Sequence, residues 1–197
     1  MIRGTLLLAL IVGMLGAGAL QAEVIEQGFD DGRADRWDPL SGAWAVAEGA
    51  YVQADASSPA YRISLFDRPW RAGLLSVTAT PLERNPNGNV GASFGVVVKR
   101  LAEDRWCIAR FGSYGTCNLL ISEPEGRRAV QIGRFSPTPG QVYRVRVIVR
   151  DGMIAIARDG LVLAILQDPF PDDMGRPGLF TETRCRFDDV RIEIEEE

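Results

Sequence analysis

The sequence predicts an all-β protein: two antiparallel sheets packed face to face as a jelly-roll sandwich. Three observations lead there. The stretch from Gln141 to Ile165 holds two Asp-Gly pairs, Asp151-Gly152 and Asp159-Gly160, each flanked by alternating apolar residues. Such pairs mark two-residue hairpin turns, which need positive φ at both central positions. Short candidate strands then recur along the chain, with turn residues at roughly 8–12-residue intervals. Beyond the first 22 residues, no stretch sustains helical periodicity.

Taken in order, Glu23–Phe29 reads as an entering strand, followed by a polar loop from Asp30 to Pro39. A hairpin comes next, with Trp44 and Val46 on one arm, Glu48-Gly49 at the turn and Tyr51 opposite Val46. Trp44 is expected to plug the core, as large aromatics usually do. Further strands are expected at Ala60–Asp67 and Leu74–Pro81, ahead of a Pro/Asn/Gly-rich loop over residues 81–91. Phe94–Arg100, Arg105–Phe111, Cys117–Ser122 and Ala129–Phe135 continue the series. In the meander, two-residue turns place Val149 opposite Ile154, Val147 opposite Ile156, and Ile156 opposite Leu163. Val145, Val147, Val149, Ile154, Ile156, Leu163 and Ile165 then share the buried side. Leu179–Thr183 and Phe187–Ile194 close the chain.

The N-terminus has a different character. Arg3 precedes an apolar run from Leu6 to Leu20, which ends at Gln21-Ala22. A basic start, a short apolar core and a small residue at its end predict a signal peptide over residues 1–22, with cleavage after Ala22 or Ala19. The run is shorter and richer in glycine than a membrane span of roughly 20 apolar residues. No cysteine follows it, which argues against a lipid anchor. Residues 23–197 are expected to form a single sandwich domain, secreted or periplasmic, with no membrane span once the leader is removed.

Composition narrows the chemistry. The net charge is −4, and removing a leader that holds one arginine and no acid makes it −5. An acidic surface argues against nucleic acid as partner. Lys99 is the one lysine among 22 basic residues, which suggests codon bias. There is no histidine, so Ser-His-Asp and Cys-His catalysis and all His-ligated metal sites are excluded. The three cysteines, Cys107, Cys117 and Cys185, allow at most one disulfide plus a free thiol, or three buried reduced thiols. A tight hairpin would leave Cys107 and Cys117 out of register, whereas Cys185 is able to meet either across the sheet.

The succession FDDG…W…GAWAVAEGAYVQ, GVVVKR…DRWCIARFGSYGTCNLL, GRRAVQIG, GQVYRVRV and RPGLFTETRCRFDDVRI resembles secreted bacterial domains of the concanavalin A-like lectin/glucanase superfamily. Within it, the chain is similar to laminin G-like and 3-keto-disaccharide hydrolase-like domains. The resemblance covers nearly all of residues 23–197 and implies a jelly roll. It spans glycan binders, glycosidases and interaction domains, and so leaves the activity open. The chain departs from those domains in its short turn at Gly112–Thr116 and in having Phe180 at a position where tryptophan is frequent.

Three constellations are candidates for function. Asp30 and Asp31 against Asp188 and Asp189 form an acidic group where first and last strands meet. The parity of Val190, Ile192 and Ile194 points Asp188 inward, where a carboxylate needs a partner. A structural calcium held by Asp30, Asp188 and Asp189 would serve; a β-bulge turning both acids to water, or a salt bridge to Arg33 or Arg186, is the alternative. Catalytic carboxylates are the second candidate, but the Glu-rich terminus lacks a central aspartate, and Glu103-Asp104 and Glu182 stand as solvated charges. The third is the outward face of the meander, where Arg144 and Arg146 flank small residues. Trp106, Arg110 and Asn118 would add a stacking ring and donors for sugar hydroxyls, unless Trp106 lies in the core and that face simply meets water. The expected function is a non-catalytic module for a carbohydrate or cell-surface partner; a carbohydrate-active enzyme is the alternative.

Overall fold

The computed structural model describes residues 22–55, 61–84 and 91–195. Residues 1–21 of the expected leader, with the alternative cleavage point after Ala19, and most of the 81–91 loop lie outside these residues. Among the described residues, fifteen strands, numbered in chain order, form two antiparallel sheets. The first sheet contains β1 (Ala22–Gln27), β3 (Trp44–Ala47), β4 (Ala50–Gln53), β6 (Gly73–Pro81), β11 (Tyr143–Arg150), β12 (Met153–Arg158), β13 (Leu161–Gln167) and β15 (Cys185–Glu195). The second contains β2 (Trp37–Ser41), β5 (Arg62–Phe66), β7 (Phe94–Arg100), β8 (Trp106–Phe111), β9 (Thr116–Glu123), β10 (Gly126–Arg134) and β14 (Arg176–Thr181). The first sheet runs β13-β12-β11-β6-β15-β4-β3, with β1 paired to β15; the second runs β10-β9-β8-β7-β14-β5-β2. Neighbours such as β6 and β15 are distant in sequence, as a jelly roll requires.

The turns form as their residues dictate. Asp151 and Gly152 have φ of 51° and 69°, and Asp159 and Gly160 have 50° and 79°. Positive φ at both positions supplies the twist of a two-residue hairpin. Val149 pairs with Ile154 and Val147 with Ile156, and all four are buried between the sheets. The second hairpin of the meander differs from expectation. A bulge after Arg158–Leu161 and Ala157–Val162 sets Ile156 opposite Ala164 rather than Leu163. One extra residue reverses the parity that follows. Leu163 and Leu166 therefore pack on the core, whereas Ile165, expected inside, is exposed.

Between the sheets lie Leu75, Val77, Phe94, Val96, Phe111, Leu119, Phe187 and Ile192 with the meander's inner row. Trp44 closes one end, stacked on Phe187 and leaning on Tyr51, while its indole N–H donates to Ser41 O. The polar loop expected over 30–39 instead contains the start of an edge strand, β2. Trp37 there packs on Phe29, Tyr51 and Phe66, and Pro39 is tolerated because edge strands leave one row of N–H groups unused. The three cysteines are buried and unbridged.

Lys99 is fully buried. Its Nζ donates to Asp168 Oδ2 at 2.7 Å and to Phe170 O at 2.8 Å. The other carboxylate oxygen accepts from Phe170 N–H at 2.9 Å. The chain's single lysine thus fastens the loop after β13 to β7.

Candidate functional site

A groove of about 450 Å³ lies on the outer face of the first sheet over β11, β12 and β6. Alternation along β11 puts Tyr143, Val145 and Val147 inside and Arg144, Arg146 and Ile148 outside. Ala155 and Ala157 stand opposite Ile148 and Arg146 on one side. On the other, Thr78 and Ser76 stand opposite Arg144 and Arg146. The floor is therefore small and apolar, with two guanidinium groups and two hydroxyls along one edge. Neither guanidinium has an ionic or hydrogen-bond partner among the described residues, and neither does the Thr78 hydroxyl, although Thr78 is only 9% exposed.

One acid lines this groove among the described residues: Asp159. Its Oδ1 accepts the Arg144 backbone N–H at 2.9 Å, and its Oδ2 faces Arg158 Nε at 3.3 Å. It fixes the turn and is partnered there.

The five residues expected to form one binding face are divided between the two sheets. Arg144 and Arg146 line the groove, while Trp106, Arg110 and Asn118 sit on the outer face of the second sheet, on the far side of the sandwich. Trp106 is 3% exposed, within a cluster of Ile63, Leu65, Ile108, Leu120 and Phe180. Tyr61 meets it edge-on and Arg127 lies 5.3 Å from its ring centre. It is largely enclosed by these neighbours, and with Tyr61, Leu120 and Arg127 it lines a smaller groove of about 170 Å³ on that face. Arg110 Nη1 reaches Glu182 Oε1 at 3.4 Å, leaving Arg110 Nε and Glu182 Oε2 buried without partners. Burial raises the Tyr61 pKa against the opposing pull of Arg110, with Glu182 adding to the rise. Asn118 donates to Thr116 Oγ1 at 2.7 Å.

The acidic group at the chain ends does not assemble as expected. A bulge between Asp188 and Arg191, with Asp189 at φ 47°, lets Phe187 and Val190 both point inward. Asp188 consequently faces outward with Arg186 at 3.8 Å, and Asp189 is exposed. Asp30 is also exposed and lies over Gly49. Asp31 Oδ1 accepts the Arg33 N–H. Among the described residues, no three acidic or sulfur side chains gather as a metal site. The bulge thus turns Asp188 away from the core, where strict alternation would have placed it.

Sequence reasoning missed Thr78 and Ser76. The signal was present in β6, where Ser76, Thr78 and Thr80 alternate with Leu75, Val77 and Ala79. Their place beside Arg144 and Arg146 follows from a pairing between residues 66 and 70 positions apart, which no local pattern encodes.

No family model matches the chain, and no curated protein sequence does. Solved structures do. The chain superposes on SCLam, a non-specific endo-β-1,3(4)-glucanase of family GH16, with a TM-score of 0.64, 11% identity and coverage of 92% of this chain and 94% of that one. A Bacillus licheniformis β-glucanase gives 0.61, 11%, 88% and 98%. The carbohydrate-binding module CBM66 from Bacillus subtilis gives 0.57, 11%, 81% and 92%. The fold is a concanavalin A-like jelly roll. At such identities the likeness establishes the fold, and the residues of this jelly roll must carry any functional argument.

Proposed function

We propose that this protein is an exported, non-catalytic carbohydrate-binding module whose ligand lies in the Arg144/Arg146 groove. The observation that carries the reading is the groove's lining: open donors over an apolar floor, with a single, already partnered carboxylate. Glycoside hydrolysis generally needs two carboxyl groups about 5–10 Å apart, and Asp159 alone lines the groove among the described residues. Sugars offer apolar C–H faces to such a floor and hydroxyls to such donors. The names of the structural neighbours, a carbohydrate-binding module and glucanases, favour the same ligand class. Export rests on the tripartite leader of residues 1–22.

A glycan array probed with residues 23–197 tests the binding reading. Retention of at least one glycan is expected, with Arg144→Ala and Arg146→Ala weakening it at unchanged melting temperature. An array with no retained glycan, or affinity untouched in both variants, would remove the groove as the site. Mass spectrometry of exported protein tests the leader: the mature start is expected at Glu23 or Leu20, and soluble protein retaining Met1 contradicts export by this route.

A further inference from the structure

The groove is cationic on a protein whose net charge is −4. Many surface arginines are met by acids: Arg36 by Asp67, Arg176 by Asp38, Arg150 by Glu195, and Arg191 by Glu26 and Glu193. Arg144 and Arg146, like Arg33 and Arg134, have no such partner among the described residues, but they stand side by side over a groove. Both are exposed, both line the groove, and neither is compensated among the described residues. Asp159, which lines the groove, is turned to Arg158 and to a backbone N–H, and Asp188, across β6 opposite Thr78, lies near Arg186.

Their arrangement is regular. As alternate residues of one strand they lie roughly 7 Å apart on the same face. Across the ladder each is matched by a hydroxyl, Arg144 by Thr78 and Arg146 by Ser76. These two residues are only 9% and 7% exposed, and no hydrogen bond within the described residues engages either hydroxyl. Each Arg–hydroxyl pair thus offers a planar, permanently charged fork with a neutral donor beside it. A guanidinium recognises a flat oxyacid group by two parallel hydrogen bonds, which neutral sugar hydroxyls use less well. On the other side, Ala155 and Ala157 leave room for a ring to approach the sheet.

We infer that the groove takes an anionic glycan, a sugar chain bearing carboxylate or sulfate groups, with Arg144 and Arg146 each holding one acid group. The inference rests on the carbohydrate-binding reading above and names the ligand's charge.

The test uses residues 23–197 and three polymers: polygalacturonate for the carboxylate, a sulfated galactan for the sulfate ester, and a neutral β-glucan. Titration calorimetry at low and high salt is expected to show binding of an acidic polymer, weakened about tenfold or more at high salt as charges are screened. Arg144→Gln and Arg146→Gln should each lower that affinity by about tenfold, the scale of one charge-assisted hydrogen bond, with melting temperatures unchanged. Arg146→Lys should recover part of the loss, since charge is kept and the fork is not. Preference for one acidic polymer assigns the acid group. Tight, salt-insensitive binding of the neutral glucan, lost in the glutamine variants, would overturn the anionic class and leave the groove as a glycan site. Binding of no polymer, or binding undiminished in both variants, would overturn the groove reading together with this one.

Discussion

Lys99 shows how a residue's meaning depends on its partners. Its ammonium is wholly buried against Asp168 and the Phe170 carbonyl, and no feature of the sequence near position 99 announces this. Removing one member of such a pair strands a charge in the interior, which costs about 3–5 kcal/mol, whereas replacing both with apolar residues is often nearly neutral. Asp168→Ala is therefore expected to lower unfolding stability by about that amount in urea titration, and Asp168→Leu with Lys99→Met to recover most of it. A loss below about 1 kcal/mol for Asp168→Ala would mean the pair does not hold the loop after β13. Trp106 makes the same point in reverse. Its type suggests a sugar platform, yet its neighbours Tyr61, Phe180 and Leu120 enclose it.

The meander shows what an element's own pattern decides. Val147 opposite Ile156 follows from the Asp151-Gly152 turn alone. Ile156→Ala should cost about 2–5 kcal/mol through lost transfer energy and the cavity left behind, whereas Arg146→Ala, one step along β11 from Val147, should stay near ±0.5 kcal/mol. The bulge past Ala157 adds a sharper contrast. Ile165→Ala should fall in the small range, and Leu166→Ala should cost clearly more, because the bulge gives Leu166 the inward parity. Chemical denaturation of the four variants checks the register. Equal losses at 165 and 166 would place the bulge elsewhere. The bulge at Asp188–Asp189 works the same way: one inserted residue sends a carboxylate outward that strict alternation would bury.

At the scale of the whole molecule, the two sheets enclose three thiols. Burial pushes the pKa of Cys107, Cys117 and Cys185 up from the ordinary thiol range. Above roughly pH 8.5, the usual thiol pKa, the unfolded chain releases these protons while the folded chain keeps them. Stability is then fully present below that pH and is lost as pH rises toward the raised folded values. The melting temperature is expected to fall between about pH 8 and 9.5, below the range where Tyr51 and Tyr61 titrate, since burial raises those pKa values as well. A Cys107→Ala/Cys185→Ala variant should show a shallower fall across that window. An identical slope would mean that ionisation of these thiols is not linked to unfolding.

Local chemistry made several features legible in the sequence. The hairpin turns at Asp151-Gly152 and Asp159-Gly160, the Val46–Tyr51 pairing and the alternation that turns Arg144 and Arg146 outward all depend on backbone sterics and period-two geometry between near neighbours. So did the sandwich itself, since short amphipathic strands must bury one face against another sheet. Tertiary structure decided whatever depends on which distant strands meet. The β6–β11 pairing set Thr78 and Ser76 beside the two arginines. Assignment of β8 and β9 to the second sheet carried Trp106, Arg110 and Asn118 to the opposite face. Bulges chose the side for Ile165 and Asp188. The physical reason is common to all of these: a strand's alternation specifies two faces, and only the fold determines what each face meets.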